Sequence, residues 1–155
     1  MAIEGRTRKK RIVLASGVFD LLHLGHVRFL EEAKRAGGRN AELIVIVARD
    51  SVAEKRKGEE PIIPENQRCS LVASLRVVDR AFLGFLGFDI GKVIDKVRPD
   101  IIAVGYDQKD IERDVRRYVK RNKLKIRILR IGKFGEDELN SSSKIKQRII
   151  GDFKR

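Results

Sequence analysis

Apolar residues in this chain come in short unbroken runs of strand length, separated by stretches where they recur at helical spacing. The runs are Arg11–Ser16, Glu42–Ala48, Val77–Leu83, Asp100–Val104 and Lys125–Ile131. They are continuous in Val, Ile, Leu and Ala instead of alternating with polar residues, the pattern of parallel strands covered on both faces. Helical patterns run over His23–Ala36, Glu65–Leu75, Ile90–Val97, Ile111–Arg121 and Ser143–Phe153. Start and stop signals agree: Pro64 suits a first helical turn, Gly37-Gly38 closes the first long helix, and Asp110 is placed to cap the helix after it. Pro99 precedes a strand, where its missing donor matters least. This alternation predicts an α/β fold: a single Rossmann-like domain with a doubly wound five-stranded parallel sheet, helices on both faces and right-handed crossovers. Residues 11–155 are assigned to that domain, and residues 1–10 to a basic tail expected to lack order.

Ligands of such sheets sit beyond the carboxyl ends of the strands, where strand order reverses. Polar clusters directly after strands are therefore the site candidates. Four qualify: Gly17–His26 after the first strand, Lys55–Gly58 beyond the second, Gly105–Gln108 after the fourth and Asn140–Lys144 after the fifth. The first holds the only two histidines among 155 residues, His23 and His26. A strand, a glycine-bearing turn and a helix start aim backbone N–H groups and a positive dipole end at an anion, normally phosphate. Residues three apart on a helix share a face, so both rings can address one ligand. Gly25 between them lets backbone approach it closely. Asp107, at the reversal point, suits a ribose hydroxyl or base amine. Neither G-x-G-x-x-G nor G-x-x-x-x-G-K-[ST] is present, which argues against a common dinucleotide-binding oxidoreductase and against a P-loop kinase.

Charge changes the picture only slightly. The 35 basic and 22 acidic residues leave a net charge of +13, but they are interleaved along the whole chain. The aromatic interleaving of a single-strand groove is missing, so a nucleic-acid partner is not expected. The balance reads as a hyperthermophile-type surface that attracts polyanionic small substrates. No apolar run reaches about 18 residues, so no membrane span is expected, and the N-terminus lacks the hydrophobic region of a secretory signal. The single Cys69, read as a small helix side chain, cannot form an internal disulfide and fits a reducing cytoplasm. Two histidines without spaced Cys or carboxylate partners argue against a structural zinc site.

The string Gly17-x-Phe19-Asp20-x-x-His23-x-Gly25-His26 resembles the signature of the cytidylyltransferase-like nucleotidyltransferases, whose H-x-G-H part is shared with class I aminoacyl-tRNA synthetases. Arg68 followed by Val78-Asp79 is similar to the family's arginine-to-strand element, and Ser141-Ser-Ser-Lys-Ile145 to its C-terminal motif. Ala48-Arg49-Asp50, Lys57-Gly58, Pro61-Ile-Ile-Pro-Glu65, Gly105-Tyr-Asp-Gln108 and Asn140-Ser-Ser-Ser-Lys144 resemble the archaeal FAD synthase subgroup. Lipid-precursor cytidylyltransferases typically carry Gly-Asp-Asp-Trp in place of Gly105–Gln108. They also carry an Arg upstream of the serine motif, where this chain has acidic residues around Glu136; both departures weaken a CTP reading.

The resemblance implies transfer of AMP from ATP to FMN, with both as substrates, a divalent cation such as Mg2+ carried in with ATP, a cytoplasmic location and a homodimer. It assigns catalysis to His23, His26 and Lys57, with Lys55 as the alternative cation. Val18, Phe19, Leu24, Gly25, Asp107, Ser142 and Ser143 would bind the nucleotide, and Arg68 and Lys144 would contact phosphate, although the place of Arg68 on a helix favours a structural ion pair. Bound triphosphate would favour protonated imidazoles. The Phe19 ring is expected to pack inward and Asp20 to steady the loop by capping. Tyr106 and Phe85 are read as core, with stacking on adenine or flavin as their other role. Val78-Asp79 is placed toward a partner subunit. The alternatives are a CTP-dependent enzyme acting on glycerol 3-phosphate or phosphoethanolamine, and a non-catalytic nucleotide- or RNA-binding module.

Overall fold

A computed structural model describes residues 9–135 and 139–154, so all but the last two residues of the expected basic tail, and the acidic stretch at Glu136, lie outside the described residues. In chain order the elements are β1 (Ile12–Gly17), α1 (Leu24–Ala36), β2 (Glu42–Val47), α2 (Asp50–Lys57), α3 (Glu65–Ala73), β3 (Arg80–Leu83), α4 (Ile90–Val97), β4 (Ile101–Gly105), α5 (Lys109–Arg121), β5 (Arg127–Ile131) and α6 (Ser142–Phe153). All strand pairs are parallel, in the order β3-β2-β1-β4-β5, so the chain reverses its direction of travel between β1 and β4.

Alternate strand residues point to opposite faces. Val13, Ala15, Leu43 and Val45 pack with Leu30 and Ala33 of α1 and Val72 of α3 on one face. Leu14, Ile44, Ile102 and Val104 pack with Ile94 of α4 and Val115 of α5 on the other. Carboxylates pin the strand starts: Asp100 Oδ2 accepts from Ile12 N at 2.8 Å, and Asp79 Oδ2 from Leu43 N at 2.7 Å. Glu112, buried on α5, ties that helix to β5 through Arg130 at 2.6 Å and also accepts from Arg116 at 3.0 Å. Burial pushes its carboxyl upward, but those two guanidinium bonds outweigh it and hold the group below its usual range.

Three expectations change. α2 was not anticipated, because Asp50–Lys57 contains only two apolar residues, Val52 and Ala53, and buries only Ala53. β3 starts at Arg80 instead of Val77, since the preceding residues form a turn in which Val78 N donates to Leu75 O at 3.0 Å. α5 starts two residues early, which puts Asp110 inside its first turn and makes Gln108 the cap residue.

Gly37, just past α1, is sterically required: a Cβ there would stand 2.5 Å from Ala41 Cβ and 2.7 Å from Val13 Cγ2. Gly37→Ala should lower stability by about 1–3 kcal/mol through overpacking, read as a lower midpoint in denaturant unfolding with an unchanged slope.

Candidate active site

A cavity of about 450 Å³ opens over the carboxyl ends of the strands, and all four sequence clusters reach it, through Gly17–Asp20 with His23, Gly25 and His26, through Lys57, through Gly105–Gln108 and through Asn140–Ser143. At its centre is the loop between β1 and α1. Phe19 (φ 55°) and Leu21 (φ 50°) adopt left-handed conformations, which cost bulky residues about 1–3 kcal/mol each and persist only when their surroundings over-determine them. The surroundings do so. Arg68 Nη1 donates to Val18 O at 2.5 Å. The buried Asp20 carboxylate accepts from Ile62 N at 2.8 Å and Ile63 N at 2.9 Å. Ser142 Oγ of α6 donates to Asp20 O. The Phe19 ring is buried, as expected, and covers Gly17, where a Cβ would be 3.0 Å from it. Asp20 steadies the loop as expected, but by anchoring the 61–64 segment instead of capping a helix.

His23 is the N-cap of α1 and His26 lies in its first turn. Their rings stack with centroids 3.8 Å apart and an interplanar angle of 23°, and Phe19 flanks His26 at 5.4 Å. His23 N donates to His26 Nδ1 at 3.3 Å, so the neutral ring carries its proton on Nε2 and remains a donor. Burial lowers the pKa of His26 to about 3, the positive fields of His23 and Lys57 add to this, and Asp20 opposes it. Burial also lowers that of His23. Both imidazoles are thus neutral at pH 7 before any phosphate arrives. His23 Nδ1 is the one buried side-chain polar atom without a hydrogen-bond partner among the described residues, an omission characteristic of a functional position. Gly25 is needed for closeness to the protein's own chain: a Cβ would stand 2.8 Å from Asn140 O and 2.9 Å from the His23 ring.

Arg68 is a buried structural cation, the ion-pair reading of the two, and not a phosphate contact. It is 0% exposed and bonds Val18 O, Ile63 O at 2.8 Å and Asp50 Oδ1 at 2.6 Å, so its guanidinium is engaged away from the cavity. Arg49 and Asp50 are linked through Glu65, which accepts from Arg49 Nη1 at 3.0 Å and Asp50 N at 2.7 Å. Lys57 lines the cavity from the last turn of α2, not from a loop, and Lys55 does not line it. Leu24 and Lys144 also fall outside the lining; Lys144 Nζ lies 3.5 Å from Asn140 Oδ1. Ser141 caps α6, accepting from Lys144 N at 3.3 Å, while Ser142 and Ser143 line the cavity. Tyr106 and Phe85 are exposed cavity residues instead of core. Val78 is buried, while Asp79 stays exposed and accepts from Leu43 N at 2.7 Å and Lys34 Nζ at 2.9 Å.

Sequence reasoning missed Arg56 and Phe88 and gave Arg49 and Gln108, quoted only within motifs, no role of their own; all four are in the lining. Gln108 is the most informative of them. Its Oε1 accepts from Gly105 N at 2.8 Å and its Nε2 donates to Ser16 O at 3.0 Å, clipping β4 to β1 where strand order reverses.

A parallel sheet with an H-x-G-H helix start at its reversal point defines an α/β nucleotidyltransferase-type fold. The family model described as cytidylyltransferase-like matches residues 14–148, and the chain belongs to that family. FAD synthase of Thermoplasma volcanium is 46% identical over 138 residues, covering 89% of this chain and 93% of the relative. FAD synthase of Methanopyrus kandleri is 44% identical over 143 residues, covering 92% and 94%. A solved structure described as a lipopolysaccharide core biosynthesis protein from Thermoplasma volcanium has a TM-score of 0.72 at 46% identity, covering 81% of this chain and 98% of that one. A protein of unknown function from Archaeoglobus fulgidus, 18% identical with a TM-score of 0.60 over 81% of this chain and 99% of that one, shares the fold.

Two outcomes follow from this geometry. Arg68→Met should destabilise the protein by about 3 kcal/mol, because it strands a partly buried carboxylate and two backbone acceptors; denaturant unfolding measures this. For His26, the unfolded ring titrates near 6.5 and the folded ring near 3. The unfolded chain therefore binds more protons between those values, so this contribution is complete above about pH 6.5 and shrinks as pH falls toward 3. His26→Gln should weaken the acid dependence of unfolding between pH 7.5 and 5, and an identical dependence would refute the burial.

Proposed function

We propose that the protein is an FAD synthase, transferring AMP from ATP to FMN with release of pyrophosphate. The observation that carries this reading is the stacked histidine pair at the open start of α1, in a chain 42–47% identical over most of its length to archaeal proteins named FAD synthase. A phosphate oxygen of FMN attacks the α-phosphorus of ATP in line; the new P–O bond forms as the bond to the bridging oxygen breaks, and pyrophosphate leaves with that electron pair. Such a transfer needs positioning and charge stabilisation more than covalent help.

The first N–H groups of α1 face the triphosphate with the positive end of the helix dipole behind them. His26, held by its Nδ1 acceptor bond, offers Nε2–H, and His23 stacks beside it. Charge gathering on the bridging oxygen raises both depressed imidazole pKa values again, strengthening the two donors as the bond breaks. Lys57 adds a cation from the end of α2. Val18, whose carbonyl is engaged by Arg68, offers its N–H to the nucleotide, with Phe19 and Gly25 also contributing main chain. Asp107 takes a ribose hydroxyl or base amine, and Ser142 and Ser143 bring the start of α6.

A divalent cation such as Mg2+ would enter held by triphosphate and water. Among the described residues no three His, Cys, Asp or Glu side chains converge, and Asp20 already serves two backbone donors. We assign a cytoplasmic location, in keeping with the free thiol of Cys69; no helix among the described residues is long and apolar enough to cross a membrane. A homodimer is also part of the proposal, supported by the apolar Ile149, Ile150 and Phe153 that α6 leaves exposed, and sedimentation tests it.

Removing one preorganised donor costs about 2.7–4 kcal/mol in the barrier. His23→Ala and His26→Ala should each lower turnover at least about a hundredfold, with folding preserved, in a pyrophosphate-release assay with ATP and FMN. Release from CTP with glycerol 3-phosphate, and none from ATP with FMN, would overturn the substrate assignment.

A further inference from the structure

The cavity has two unlike ends. Beside β4 and β5 it gathers polar groups, Asp107, Asn140 and the serines of the α6 start, next to the rings of Tyr106 and Phe134. On the β3 side, the loop 84–89 between β3 and α4 presents large apolar groups: Phe85 is 37% exposed and Phe88 50% exposed. Val52, Ile90 and Val93 line the same end. Two of its polar groups are already engaged. Arg49 Nε donates to Gly84 O at 2.8 Å, and Asp89 Oδ1 accepts from Lys92 N at 3.0 Å as the cap of α4. Cations lean over the rings: Arg56 Cζ is 5.1 Å from the Phe88 centroid, and Lys92 and Lys96 Nζ are each 5.9 Å from that of Phe85. Two wet aromatic rings in a concave apolar lining, in the same cavity as the stacked histidines, are a ligand contact in search of a flat, largely apolar ligand.

We propose that Phe85 and Phe88 form the seat for the flavin ring system of the acceptor, with Arg56 as the cation at its rim. This rests on the FMN reading above. Two substrates need two seats, and adenine and flavin differ in what they ask of them. Adenine presents ring nitrogens and an amine around its edge and needs polar partners, which are at the β4–β5 end. The flavin ring has a methylated benzenoid edge that gains from aliphatic walls and a broad face that gains from aromatic stacking. The β3 end offers both, in the rings of Phe85 and Phe88 and the walls of Val52, Ile90 and Val93. Arg56, 5.1 Å above Phe88 and ion-paired with Asp110 across the cavity, is placed to meet the polar edge or phosphate of the same molecule.

The test is steady-state kinetics on Phe85→Ala and Phe88→Ala, with each substrate varied in turn and FAD formation as readout. The KM for FMN should rise about tenfold, the size of a lost stacking contact, while the KM for ATP stays constant and kcat falls less than the KM rises. Phe88→Leu, which keeps apolar bulk without the ring, should fall between wild type and Phe88→Ala. A rise confined to ATP would make this the adenine seat and overturn the proposal, as would unchanged KM values for both substrates. Quenching of FMN fluorescence on binding gives an independent arm. If the wild-type chain makes no FAD, the enzymatic reading fails, while FMN binding that Phe88→Ala weakens would uphold the seat. No FMN binding by the wild type would overturn both.

Discussion

One buried guanidinium fixes the relation between the sheet and the catalytic loop. Arg68, on α3, joins a carbonyl of the β1–α1 loop, a carbonyl of the 61–64 segment and the carboxylate that opens α2. Three stretches of chain, one of them 50 residues away, converge on its planar fork, whose rigid donor geometry an ammonium would not reproduce. The backbone strain at Phe19 and Leu21 is maintained because this hub, the Asp20 carboxylate and the Ser142 hydroxyl all constrain the same few residues. The histidines inherit their positions from that arrangement, a few residues further along the chain.

Neutral stacked imidazoles suit a site that must first accept a polyanion and then support charge that shifts within it. A pair of permanent cations 3.8 Å apart would repel each other in the empty cavity. Keeping both rings uncharged until phosphate is present removes that repulsion and makes their charge respond to the ligand. Lys57, which contributes to the lowered pKa of His26 in the free protein, finds a counterion in the same triphosphate.

Much of this was legible beforehand. The continuous runs Arg11–Ser16 and Glu42–Ala48 read as strands buried on both sides, and alternation with helices then locates the reversal point and the polar clusters around it. The paired histidines were visible because the chain has no others. What was hidden has a common cause: the direction of a side chain. Arg68 on a helix reads the same whether it points at a ligand or into the protein. Phe85 and Tyr106 read as core because apolar character does not reveal exposure. Gln108 falls in a flagged cluster but its role is not readable, since a neutral amide neither titrates nor follows a hydrophobic period. α2 escaped because eight residues with two apolar positions carry too little periodicity.

The Gln108 clip has a mechanical corollary. The gap between two neighbouring strands usually widens easily at their ends, yet here one side chain spans it with a bond to each strand. The floor of the crevice therefore behaves as a fixed plate, and whatever breathing substrate entry and product escape demand is left to the walls. The wall elements, the tip of α2 with its Arg56–Asp110 bridge and the lead into α6, meet the plate through ion pairs and single hydrogen bonds, which break and re-form with little disturbance to the hydrophobic layers beneath.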